Sequence, residues 1–159
     1  MRQPIIAGSW LPFVTIFVVF SSGAFGAETP TGQKVGRRYG VAADLEHYPQ
    51  SDPQQAIRSI IKTIAQGKVE YMLAHLISPT QVDEKLAGSQ EAFAKLAVKP
   101  SDKKAKVLID SLKRHLSDGT WTIRRHLAWT TAEGVPDLSM EKIGNRWFMH
   151  NTPVPQPSE

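Results

Sequence analysis

An α+β domain, helices first and an antiparallel meander after them, is what the sequence predicts. Three observations carry it. Apolar residues recur at i, i+3, i+4 and i+7 from Ala56 to Ile77. The period changes to alternate positions after Gly119. Gly144-Asn145 then sits between two runs of strand character. A block of helices followed by a block of strands is the α+β pattern, and the two periods separate helix from strand. The expected architecture is a helical hairpin plus further helices, packed on a C-terminal three-stranded antiparallel meander.

The hairpin is read from Asp52 to Ile77. Asp52 can accept from the free N–H groups of a first turn, and Pro53 costs nothing at the first helical position. Gln55 stands where a capping-box partner would. Ala56, Ile57, Ile60, Ile61, Ile64 and Ala65 make one face, with Arg58, Ser59, Lys62 and Thr63 on the other. Gly67 can take the left-handed conformation that ends a helix. A second helix restarts at Lys68, with Val69, Met72, Leu73, Leu76 and Ile77 as its stripe. Each buried Ile or Leu contributes roughly 1.5–3 kcal/mol, so this apolar face outweighs any single surface charge pair.

Ser78-Pro79-Thr80-Gln81 repeats the cap-and-proline pattern and opens a short helix through Val82 and Leu86 to Gly88. Gln90 to Val98 reads as another, with Phe93, Leu96 and Ala97 inward. Asp102 caps a longer helix to Ser117, whose face is Ala105, Leu108, Ile109, Leu112 and Leu116. Trp121, Ile123, Leu127 and Trp129 then fall on alternate positions of one long strand, interrupted by Arg125. Either that guanidinium snorkels to the edge or a bulge shifts the register. Gly134 to Asp137 is a turn, Leu138 to Ile143 a second strand, and Arg146 to Asn151 a third. Gly144-Asn145 joins the last two as a two-residue turn.

The ends read differently. Residues 1–26 have a positive Met1-Arg2, an apolar run densest at Phe13–Phe20, and small residues at Ala24 and Gly26. This is the pattern of a cleaved secretory signal peptide. Residues 27–50 read as a flexible leader, with a short turn of helix at Val41–Pro49 that packs Leu45 and Tyr48 on the core; 51–151 read as a single α+β domain, and 152–159, with prolines at 153, 155 and 157, as a disordered tail. The expected location is therefore the periplasm or the extracellular space. No membrane span is expected after signal cleavage, since no second apolar run exists.

Composition narrows the chemistry. The 159 residues include no cysteine, which removes disulfides, thiolate metal sites and cysteine nucleophiles. Net charge is +4, which favours weak attraction to polyanions without specifying one. An exported domain does not meet nucleic acid, so no nucleic-acid partner is expected. No phosphate-binding glycine loop, dinucleotide fingerprint or G-x-S-x-G elbow is present. The five histidines (47, 75, 115, 126 and 150) form no metal-binding motif. No cofactor is expected.

Two stretches carry a family resemblance. A paired helix with a glycine hinge, followed by a sheet ending in Gly144-Asn145-Arg146-Trp147-Phe148-Met149, resembles the nuclear-transport-factor-like (cystatin-like) α+β superfamily. The likeness spans Asp52–Asn151 and implies a cone-shaped pocket between helices and sheet. The chain departs from that pattern in having three strands where the fold uses more, and extra helix between Gln90 and Ser117. Tyr39-Gly40-Val41, Tyr48-Pro49-Gln50 and Tyr71-Met72-Leu73-Ala74-His75-Leu76 look like secreted proteins of planctomycete-type bacteria without an assigned function. That likeness implies export and no chemistry.

Three functional readings follow. The first is a non-catalytic domain binding a small molecule or protein in the cleft between hairpin and sheet, lined by Met72, His75, Trp121, Trp129, Trp147 and Phe148. The second is a hydrolase-like enzyme in which His75 pairs with Asp83 or Glu84, since a His–carboxylate pair can make a general base. A helix-edge histidine is the simpler account of His75, and ordinary cross-strand neighbours the simpler account of His126 and His150. The third is a polyanion-binding surface on the Asp102–Ser117 helix, through Lys103, Lys106, Lys113 and Arg114. Its plainer alternative is a solvated face balanced by Asp102, Asp110 and Asp118.

Overall fold

The computed structural model describes residues 36–150. The chain divides into two units, Met1–Thr31 and Gly32–Glu159, and all described residues belong to the second. The signal segment 1–26 and the tail 152–159 lie outside them. The described fold is α+β, with five helices and two antiparallel sheets. Among the described residues no helix is long and apolar enough to cross a membrane.

The segment read as a leader is built into the domain from residue 36 onward. β1 (Arg37–Arg38) and β2 (Val41–Ala42) form a small hairpin, turned by Tyr39 and Gly40 at positive φ. Tyr48 and Gln50 are buried. The reason is side-chain chemistry that periodicity does not reveal. Tyr48 packs on Tyr71 with the rings tilted and their centroids 4.4 Å apart, and Gln50 bonds two distant carbonyls.

α1 (Pro53–Ala65) starts as its cap chemistry requires, with Asp52 accepting from the Gln55 N–H at 2.8 Å. Gln55 itself does not close a capping box; its amide oxygen takes the Ser51 hydroxyl. Ala56, Ile57, Ile60 and Ile64 are buried, while Ala65 is exposed. The buried stripe is wider than the apolar one. Ser59 and Thr63 are also inside, their hydroxyls bonded to the Pro49 and Ile60 carbonyls. A hydroxyl enters a core cheaply when a carbonyl accepts from it. Gly67, at φ +69°, lets the chain turn into α2 (Val69–His75).

α3 (Pro79–Leu86) and α4 (Gln90–Leu96) carry serine caps at Ser78 and Ser89. They build a smaller core of Ala74, Val82, Leu86 and Phe93, with Tyr39 stacked on Phe93 at 4.5 Å. α5 (Asp102–Ser117) buries Leu112 and His115 and packs Ala105, Leu108, Ile109 and Leu116 against the main core. Ser101, not Asp102, is its cap position. A Cβ at Gly119 would collide with the His115 carbonyl and the Thr130 hydroxyl, so glycine permits the tight join from α5 into the sheet.

The meander has four strands, not three: β3 (Thr120–Arg124), β4 (Leu127–Thr131), β5 (Leu138–Ile143) and β6 (Arg146–His150), paired in that order. The long strand expected across Arg125 is two strands. Arg124 pairs Leu127, and Arg125-His126 is the two-residue turn between them, with Arg125 at φ +47°. Arg125 thus neither snorkels from a strand nor marks a bulge. Two-residue hairpin turns demand positive φ, and here a non-glycine residue supplies it. Because paired residues share a face, Trp121, Ala128, Thr130, Met140, Trp147 and Met149 lie on one side. Trp129, Glu141, Phe148 and His150 lie on the other. The first face meets α1, α2 and α5 in the main core.

Candidate functional site

The cleft between α1–α2 and the sheet is filled. Ile57, Ile60, Met72, Ala128, Met140 and Trp147 form one buried cluster there. The six residues expected to line it are not a lining. Met72 and Trp147 are buried in that cluster, and Trp121 packs against it while its indole N–H donates to the His115 carbonyl at 3.1 Å. Trp129 and Phe148 are on the opposite sheet face. Trp129 is half-buried under the Arg124 guanidinium at 5.6 Å, and Phe148 lies beneath Arg146 at 4.9 Å. An open groove of about 430 Å³ lies elsewhere, between Val41, Gly67–Tyr71 and Lys99.

His75 is the centre of a buried polar corner at the C-terminal end of α2. It is 1% exposed. Its Nε2 lies 2.9 Å from the Val41 carbonyl, and its Nδ1 has no partner. A carbonyl only accepts, so the proton sits on Nε2. Burial holds His75 below its ordinary value of 6.5, and the Arg146 and Arg38 charges push the same way. The carboxylate expected beside it is absent: Asp83 is occupied by Arg38 at 2.5 Å and by the Tyr39 hydroxyl at 2.8 Å, and Glu84 is exposed. His75 therefore ties the β1–β2 hairpin to α2 and lacks the partner of a general base.

Two arginines complete this corner. Arg146 donates Nε and Nη2 to the Gln50 amide oxygen, at 3.0 and 2.6 Å, and Nη2 to the His75 carbonyl at 3.0 Å. Arg38 donates to the Ala74 carbonyl at 2.6 Å. The last carbonyls of a helix have no partners within it and carry the negative end of its dipole, so cations belong there. Gln50 also donates to the His75 and Trp147 carbonyls. Neither Arg38 nor Gln50 stands out in the sequence, because their partners lie 36 and 97 residues away.

A second polar group lies on the outer sheet face. The Ser78 hydroxyl donates to Glu141 while accepting from the Gln81 N–H, and His150 Nε2 is 4.0 Å from the other Glu141 oxygen. The carboxylate is between the serine and the histidine, so no imidazole can take the serine proton. His126 sits in the β3–β4 turn and His150 on β6, with β5 between their strands, so the two do not face each other. Among the described residues no cluster of three or more His, Asp or Glu could hold a metal ion.

The basic helix is arranged differently. Lys103, Lys106, Lys113 and Arg114 are all exposed, as is Lys104. None of them forms an ion pair among the described residues; Asp102 instead lies 3.9 Å from Lys99. Asp110 is the acidic residue within their stretch of α5. His115, which the sequence groups with Lys113 and Arg114, is buried, with Nε2 3.0 Å from the Pro136 carbonyl. Residues 99–126 hold eight basic and three acidic residues, and the remainder of the chain holds eleven and twelve. The whole net positive charge is thus concentrated around α5 and the β3–β4 turn.

No known protein family, no curated protein and no solved structure matches this chain.

Proposed function

We propose that the chain is an exported, non-catalytic binding domain, and that it engages an acidic macromolecular surface through the outward face of α5. The single observation supporting this reading is that Lys103, Lys106, Lys113 and Arg114 are exposed, unpaired among the described residues and on one helix. A cation already neutralised by a carboxylate gains little from a new anion, whereas an unpaired one gains its full, salt-screened attraction. The small-molecule reading lacks a comparable support, since its expected cleft is occupied by core side chains. Export rests on the N-terminal segment, whose apolar run and small-residue site match a signal peptide.

The test is titration of the full chain with a soluble sulfated polysaccharide at rising salt. Four released counterions imply, by analogy with nucleic-acid binding, a loss on the order of a hundredfold between about 50 and 200 mM salt. Reversing Lys103, Lys106, Lys113 and Arg114 to Glu should abolish binding and leave the melting transition in place. Binding that ignores salt, or that survives the reversal, overturns the reading. A mass spectrum of the protein recovered from a bacterial host checks export: a chain beginning at Ala27 supports it, and one beginning at Met1 does not.

A further inference from the structure

Among the described residues four large apolar side chains stand exposed: Val98, Val107, Ile123 and Ile143. Two of the four, Val107 and Ile123, fall within the stretch that carries the surplus positive charge, and Val98 immediately precedes it. Val107 is 58% exposed. Helix geometry sets Lys103 and Lys104 one turn before it, Asp110 and Ser111 one turn after it, and Arg114 two turns after it. Val98 is 68% exposed and leads through Lys99 into the start of α5. The apolar face of α5 is already committed to the main core, through Leu112 and its neighbours. What remains outward is therefore a basic surface with an isolated aliphatic side chain in it.

A soluble polysaccharide has no use for an exposed valine among lysines. A bilayer surface has. Cationic side chains rest at the depth of the headgroup phosphates, and a short apolar side chain between them reaches the acyl boundary. We infer that the outward face of α5 docks on the surface of a bilayer containing anionic phospholipid, with Val98 and Val107 entering the interface and Lys103, Lys104, Lys106, Lys113 and Arg114 on the headgroups. This rests on the proposed polyanion-binding reading and names its partner. The charge complementarity is direct, since α5 carries five Lys or Arg against two Asp. The attachment is peripheral and reversible, because a few basic residues and single valines do not anchor a protein as a spanning helix does.

The experiment is flotation of the full chain with vesicles of phosphatidylcholine alone and of phosphatidylcholine mixed with phosphatidylglycerol. Residues 1–26 contribute equally in every variant, so the readout is the ratio between variants. The wild type should prefer the mixed vesicles. Lys106→Gln and Lys113→Gln should each weaken that binding roughly five-fold. Val107→Ser should weaken it by a similar factor, yet leave binding to the sulfated polysaccharide unchanged. Equal binding to both vesicle types, or a silent Val107→Ser, overturns the lipid assignment. If polysaccharide binding persists in that case, the polyanion reading stands. If it is lost as well, both fall.

Discussion

Two cationic regions of this molecule use the same side chains in opposite ways. At the end of α2, Arg146 and Arg38 turn inward and satisfy the Ala74 and His75 carbonyls and the Gln50 amide. On α5, four of the same kind of residue face solvent with no ion pair among the described residues. The first region makes structure from charge. Its guanidinium groups are drawn from water, and their bonds join β1, α2, the Gln50 segment and β6 into one corner. The second leaves its charge available. The comparison teaches that cationic residues become a candidate site only when no carbonyl or carboxylate of their own chain has claimed them.

The comparison can be broken first at Arg146. Arg146→Met keeps the aliphatic stem and removes every bond to Gln50 and the His75 carbonyl. Leaving the Gln50 amide oxygen unmet, and the His75 carbonyl with the Gln50 amide as its only side-chain donor, should cost about 3 kcal/mol. Urea unfolding measures it. A cost below about 1 kcal/mol, the worth of a surface pair, would erase the distinction between the two regions.

The next effect is with pH. His75 and His115 are both held below the ordinary 6.5 by burial. For His75 the Val41 carbonyl opposes this and the two arginines add to it, while for His115 the Pro136 carbonyl and Asp137 both oppose it. Below pH 6.5 the unfolded chain therefore binds protons that the folded chain refuses. Stability is complete above that pH and falls as acid is added, until the folded imidazoles also protonate. Each histidine contributes a slope of up to about 1.4 kcal/mol per pH unit. Thermal melts between pH 8 and 5 should show this. His75→Gln should remove part of the slope, and a pH-independent wild type would refute the buried-neutral assignment.

Arg38 sharpens the comparison, because it is intermediate. Its bond to Ala74 is inside, but its partner Asp83 is half exposed. Arg38→Met should cost about 1 kcal/mol, less than Arg146→Met. The smallest effect belongs to α5. Lys106→Gln or Lys113→Gln should change stability by no more than about 0.5 kcal/mol, as surface substitutions do. These two changes should act on binding instead, which is the mirror image of Arg146.

Much of this is legible in the sequence. The face of α1, the Asp52 and Ser78 caps, the outward lysines of α5 and the Gly144-Asn145 turn all follow from local spacing. The candidate cleft failed because tryptophans were grouped by strand character, not by register. Trp121 and Trp129 read as one face only while Arg125 is taken as part of a strand. Making Arg125-His126 a turn pairs Thr122 with Trp129 and puts the two rings on opposite sides. A one-residue change of register flips every side chain, so no count of alternate positions could decide it.

By itself, then, the amino-acid order determined where the five helices lie, where the last two strands and their turn fall, and where charge accumulates, because these depend on neighbours within a turn or two. Tertiary structure alone decided which polar groups are used. Gln50 reaches Trp147 and His75, Arg146 reaches back to the end of α2, and His75 holds Val41. Those partners are brought together by burial of the apolar face of α1 and the sheet, a force that is non-directional and leaves the choice of polar contacts to the packed geometry.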